Sequence, residues 1–239
     1  APFPGGATPT KSSAREAFEI TDEHRHYWAY QPSNTPAIPK VQNNDWVRNP
    51  IDAFLLHRLE ADGLTPNAPA TSRELVRRLW FDLIGLPPTI GDLQSFTDDP
   101  SDARWEEMIE SLLARSQYGE RWGRHWLDVV RFAQTNGYER DDEKPFAWRY
   151  RDYVIRAFNR DMPFDRFILE QLAGDELPDA NDESRTATGF YRLGVWDDEP
   201  DDAMAAEYEA LDDILSTTGQ AFLGQTIGCA RCHNHMYDP

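Results

Sequence analysis

The 239-residue chain has only two cysteines, Cys229 and Cys232, so no disulfide framework can account for its stability. Positive charge is also scarce. Lys and Arg number 24 against 42 Asp and Glu, a formal net charge of −18. That balance argues against a nucleic-acid partner, because phosphates need basic side chains to displace their counterions. It fits a protein kept soluble by its charge, or one whose acidic patches steer a basic redox partner. No apolar run approaches the roughly 18 residues of a membrane span, so none is expected. Alternation at period two is missing over any useful length, and no fixed-period repeat occurs. These absences leave an all-α protein as the economical reading.

What is present supports it. Apolar residues make up 40% of the chain, with eight Trp, nine Tyr and twelve Phe to fill a core. The stretch 1–20 reads as a flexible lead-in, and 21–239 as a single helical domain with long loops. Asn49-Pro50 has the form of an N-cap followed by Pro at the first helical position, with Ile51, Phe54, Leu55 and Leu59 at helical spacing and Gly63 as a stop. Thr71 and Glu74 make a capping box before Leu75, Val76, Leu79 and Trp80. Further helices are expected over 89–97, from Ser101 onward, and over 118–133, 148–158, 164–172 and 201–225. In the 118–133 helix, Trp122, Trp126, Val129, Val130 and Ala133 should face inward. Residues 175–184 read as an acidic loop.

The motif with chemical content is Cys229-Ala230-Arg231-Cys232-His233. Two thiols with two residues between them can each add across a haem vinyl group. The following His is then placed to bind the iron as its proximal ligand. The motif predicts one covalent haem c per chain, held by Cys229 and Cys232, with His233 on the metal. Arg231, inside the motif, is expected near the propionates, and Gly228 to let backbone approach the macrocycle. Two other chemistries use these residue types. Zinc could take Cys229, Cys232, His233 and His235, but structural zinc sites usually draw ligand pairs from separated segments, and four ligands within seven residues are cramped. A thiol-disulfide oxidoreductase would place Cys-x-x-Cys in a βαβ context, which a helical chain does not offer.

Several separated blocks then converge on one family. They are Trp28-Ala29-Tyr30-Gln31-Pro32, Asn49-Pro50-Ile51-Asp52, the run Arg78 through Pro88, and Tyr118-Gly119-Glu120-Arg121-Trp122 with His125-Trp126-Leu127-Asp128. Ala147 through Asp152, Asn159 through Pro163, Glu170 through Asp175 and the cysteine motif complete the set. Over about residues 27–239 the chain resembles the planctomycete-type cytochrome c domain of large secreted multidomain proteins. It departs where that family often carries Asp and Lys, having Asn234 and Met236 instead. The resemblance implies a module excised from a longer protein, working in electron transfer in the periplasm or outside the cell. Its partner would be a redox protein or an attached domain.

The sixth iron position is the open question. Chain reach excludes His235 and Met236. Two or three residues extend at most about 7–11 Å, whereas ligands on opposite haem faces need Cα atoms roughly 13–16 Å apart. His57 sits at an ordinary helix position and reads as a surface residue. His24 and His26 lie beside an aromatic run, Tyr27, Trp28 and Tyr30, which reads more readily as core than as a haem cover. His125 lies in a matched block, sharing a helix face with Trp122 and Val129. It is the expected distal ligand, with Asp128 to orient the ring, against the plainer reading of a core histidine. Met162 is the runner-up. The leading functional reading is an electron carrier rather than an enzyme. The competing class is an open-site haem enzyme, peroxidase-like, or a gas-binding sensor.

Overall fold

The computed structural model describes residues 20–233 and 235. The lead-in over 1–19, and Asn234 and Met236, lie outside the described residues. The chain divides into two compact units, residues 1–68 with 234–239, and residues 69–233. Among the described residues the structure is all-α. Ten α-helices occur, with no strand and one isolated bridge, Thr135 to Glu143. No helix among them is long and apolar enough to cross a membrane.

In the first unit, Thr21 caps the short helix α1, Asp22–Arg25, in a reciprocal arrangement that uses the His24 ring. Thr21 N donates to His24 Nδ1 at 3.1 Å, and His24 N donates to Thr21 Oγ1. The His26 ring lies 2.6 Å from the Asp22 carbonyl. The aromatic run does not form core: Tyr27, Trp28 and Tyr30 are all exposed, Trp28 by 78%. α2, Pro50–Ala61, starts at the expected cap, with Asn49 Oδ1 accepting from the amides of Ile51 and Asp52. It buries Ala53 and Leu56, while Ile51, Phe54 and Leu55 face outward. His57 is exposed, as its position suggested.

The second unit holds two apolar clusters. α3, Ser72–Leu83, α4, Ile90–Asp98, and α5, Asp102–Leu113, enclose Val76, Trp80, Ile84, Phe96, Met108 and Leu112. Thr71, Thr89 and Ser101 cap them in turn, each side-chain oxygen accepting an orphan amide of the first turn. The second cluster is built by α6, Ser116–Val129, α7, Ala147–Asn159, α8, Phe164–Ala173, and α9, Asp182–Ala187. Its centre is Tyr153, Val154, Phe167, Ala187 and Phe190. Val154, Phe167 and Phe190, removed from water, each contribute about 1.5–3 kcal/mol before entropy is charged against them. α9 begins inside the stretch 175–184 that reads as an acidic loop. Asn181 caps it, its Oδ1 accepting from Glu183 and Ser184.

α6 and α7 pack closely because Gly119 and Gly123 line their contact. A Cβ on Gly119 would stand 2.4 Å from the Ile155 carbonyl oxygen and 2.6 Å from Asn159 Cγ. Gly119 N donates to Asn159 Oδ1 across the same contact. This glycine edge sets the rotation of α6. Gly119, Gly123, Trp126 and Val130 go inward, and the expected inward positions Trp122 and Val129 turn out to solvent. His125 turns out with them.

A polar chain runs through the second cluster. Trp126 Nε1 donates to the Tyr150 hydroxyl at 3.1 Å, which donates to Gln171 Oε1 at 2.6 Å. Tyr153 donates to Glu170 Oε2 at 2.9 Å, and Arg166 Nε donates to the other carboxylate oxygen at 2.8 Å. Burial drives both phenols well above the ordinary tyrosine range; for Tyr153 the neighbouring Glu170 adds to it.

Candidate haem-attachment site

The last α-helix delivers the cysteine motif. α10, Ala203–Thr218, starts at Asp202, whose Oδ1 accepts from Met204 N and Ala205 N. A π-helical turn, Gly219–Leu223, continues it, and Gln225 N closes the reversal onto the Gly219 carbonyl at 3.0 Å. The chain then doubles back in a 3-10 turn, Ile227–Arg231, against α10.

Two contacts hold the motif there. Gly228 meets α10 so closely that a Cβ would lie 2.8 Å from Ser216 Oγ. The glycine therefore allows the turn to pack closely against the helix. Arg231 Nη1 pairs with Asp212 Oδ2 at 3.1 Å, so its nearest anion is a carboxylate of the chain itself. Cys229, Cys232 and His233 are all exposed, and the two thiols are not joined in a disulfide.

The surface beside the motif is apolar. Met204, Tyr208, Leu211 and Leu215, at helical spacing along α10, are 54–66% exposed, and Leu223 is exposed as well. The smaller Ala206 and Ala210 are the more sheltered positions. Two thiols in reach of solvent, an imidazole directly after the second, and bare apolar surface alongside fit the needs of a covalently held porphyrin.

The expected distal residues are placed less favourably. His125 is exposed, its ring 5.5 Å from that of Trp122, and it donates no hydrogen bond to Asp128. The buried face used to single it out is not where it lies. The segment leading to the motif approaches α6 through Phe222, packed on Trp126 at 5.6 Å. Met162 packs against the second cluster with its sulfur 3.8 Å from the Tyr153 hydroxyl, as core filler does. Among the described residues no group of three or more His, Cys, Asp or Glu is arranged to hold a bare metal ion.

Arg151 pairs with Asp152 at 2.8 Å, and Arg149 lies over the rings of Phe146 and Trp148. In the acidic stretch 197–202, Arg140 pairs with Asp198 and Glu199, and Asp202 is spent on the α10 cap. Sequence reasoning missed a cavity of about 720 Å³ between the start of α7, the segment 192–196 and α10. Its lining comes from distant stretches and leaves no local signal.

One family model matches: PSCyt2, described as "Protein of unknown function (DUF1549)", over residues 50–239. Comparison with curated proteins and with solved structures gave no match in either.

Proposed function

The chain belongs to the PSCyt2 family, and from that premise we propose that it is a c-type haem module that carries electrons. The observation that carries the reading is the Cys229-to-His233 motif, held against α10 with both thiols and the imidazole exposed. Cys229 and Cys232 would hold the haem by thioether bonds, and His233 would bind the iron. The haem would supply one-electron iron chemistry, its potential set by ligand and burial. The exposed stripe of Met204, Tyr208, Leu211 and Leu215 supports the reading as a surface suited to a porphyrin face. Work in the periplasm or outside the cell, with a redox protein or an attached domain as partner, belongs to the same proposal. His125 is the residue to test at the sixth position, because its imidazole is accessible and held by no carboxylate.

The test is maturation of the chain with haem-attachment machinery, followed by denaturation. One haem per chain should persist in the mass, and Cys229→Ala with Cys232→Ala should release it into acidified organic solvent. A colourless product, or one carrying stoichiometric zinc, overturns the proposal. Spectra of both oxidation states with carbon monoxide then separate a six-coordinate carrier from an open-site enzyme or sensor. His125→Ala should turn a low-spin spectrum high-spin; an unchanged low-spin spectrum removes His125 from the iron.

A further inference from the structure

The chain has far fewer cations than carboxylates, yet four cations, Lys144, Arg149, Arg185 and Arg192, line the 720 Å³ cavity against only two carboxylates, Glu143 and Asp213. Asp213 is already taken. Arg131, at the end of α6, reaches it with Nε at 2.7 Å and Nη2 at 2.6 Å. Glu143 is exposed. Arg185 meets Asp182 only loosely, at 3.7 Å, with both side chains largely in solvent.

Among the described residues, no carboxylate pairs with Arg149 or Arg192. Their guanidiniums are held over aromatic rings instead, Arg149 at 4.9 Å from the Phe146 centroid and Arg192 at 4.5 Å from Trp196. Stacking fixes the plane of a guanidinium while leaving its N–H fork open to an anion. Lys144 is half-buried and donates to the carbonyls of Leu193 and Gly194, at 3.0 and 2.6 Å. An ammonium has three protons, so one donor remains. Burial, with the nearby charges of Arg131 and Arg192, depresses its pKa. The crowding of positive charge is therefore felt at the cavity itself.

We propose that this cavity binds a small organic carboxylate with a flat apolar body. The cations Lys144, Arg149 and Arg192 would meet the carboxylate, and the exposed faces of Tyr191, Val195 and Trp196 would take the body. A volume of about 720 Å³ lies within the range of about 300–1,000 Å³ usual for small-molecule sites. The chain's overall negative charge does not forbid this. Its distant charges are screened beyond about 8 Å at physiological salt, while groups lining a cavity are screened much less. The site stands apart from the haem reading and does not depend on it.

The probe is 2-naphthoate, with neutral 2-naphthamide as its control, in equilibrium dialysis against the haem-bearing chain and the Cys229→Ala, Cys232→Ala variant. Naphthoate should bind both proteins alike, and about tenfold or more tighter than the amide, a difference of about 1.4 kcal/mol. Arg149→Gln and Arg192→Gln should each weaken naphthoate several-fold and leave the amide unchanged, with circular dichroism confirming an intact fold. Equal binding of acid and amide, or no naphthoate binding at millimolar concentration, overturns the proposal. So does binding confined to the haem-free variant, since the cavity would then belong to the haem's own propionates.

Discussion

Replacing Tyr150 by Phe removes one oxygen from the interior and leaves two polar groups stranded. Tyr150 is 3% exposed, and its hydroxyl is the shared partner of Trp126 Nε1 and Gln171 Oε1. Gln171 is wholly buried, and its Nε2 already has no partner. The Phe variant opens no cavity, so the loss is one of hydrogen bonding. A buried polar group left unsatisfied costs about 1–3 kcal/mol, and two are created, while the buried hydroxyl's own desolvation is saved; the net expectation is about 2–4 kcal/mol. Urea unfolding of the whole chain, followed by far-ultraviolet circular dichroism, should show a lower midpoint with the slope unchanged. Adding Gln171→Leu to the Tyr150→Phe variant removes the stranded amide and should recover part of the loss. A further mark is alkaline. Burial raises the Tyr150 pKa above its ordinary 10.0, so its contribution is complete below that pH and is lost as pH rises beyond it. The Phe variant should lose stability less steeply there. A loss under about 0.5 kcal/mol would refute the claim that this hydroxyl satisfies the interior.

Three other substitutions test the packing and the ion pairs. Gly119→Ala should cost about 3 kcal/mol or more, since its Cβ meets backbone oxygen at 2.4 Å, whereas Gly123→Ala, whose nearest neighbour is the Ile155 side chain at 3.3 Å, should cost clearly less; equal losses in thermal unfolding would contradict the close-contact account of α6 and α7. For Glu183, burial works to raise the pKa, but hydrogen bonds from Arg160 and Arg156 overcome it and hold the carboxyl below 4.5. Its contribution is present above that pH and lost as pH falls through the depressed value, so Glu183→Gln should show a flatter acid limb in a stability profile. An acid limb identical to that of the parent chain would remove Glu183 from the balance.

Much of the helix framework was legible because caps are local chemistry. Asn49, Thr71, Thr89 and Ser101 each announce a first turn through an oxygen within three residues of the amide it accepts. The α9 helix was hidden although its cap, Asn181, was in view, because the surrounding acidic residues resemble a solvated loop. Facing was harder than extent. Side-chain size suggested that Trp122 and Val129 point inward, but the glycine edge of α6 fixes the rotation through contact with Ile155 and Asn159, which are remote in sequence. On α10 the small residues are the sheltered ones, and the stripe from Met204 to Leu215 is bare. The cysteine motif was readable outright, since its chemistry lies within five consecutive residues. Lys144, Arg149 and Arg192 belong to stretches up to 48 positions apart, and only tertiary packing makes them neighbours.

That bare stripe has a consequence for the molecule as a particle among its own kind. Two chains approaching in dilute buffer repel through a formal charge of −18 each, a barrier that reaches only about 8 Å at physiological ionic strength. Attraction between two stripes acts at contact and hardly depends on salt. Added electrolyte, or acid that neutralises the carboxylates, therefore lowers the barrier and leaves the adhesive strip intact. While the stripe is uncovered, the protein is a colloid held dispersed by charge, and it can flocculate without any helix having melted.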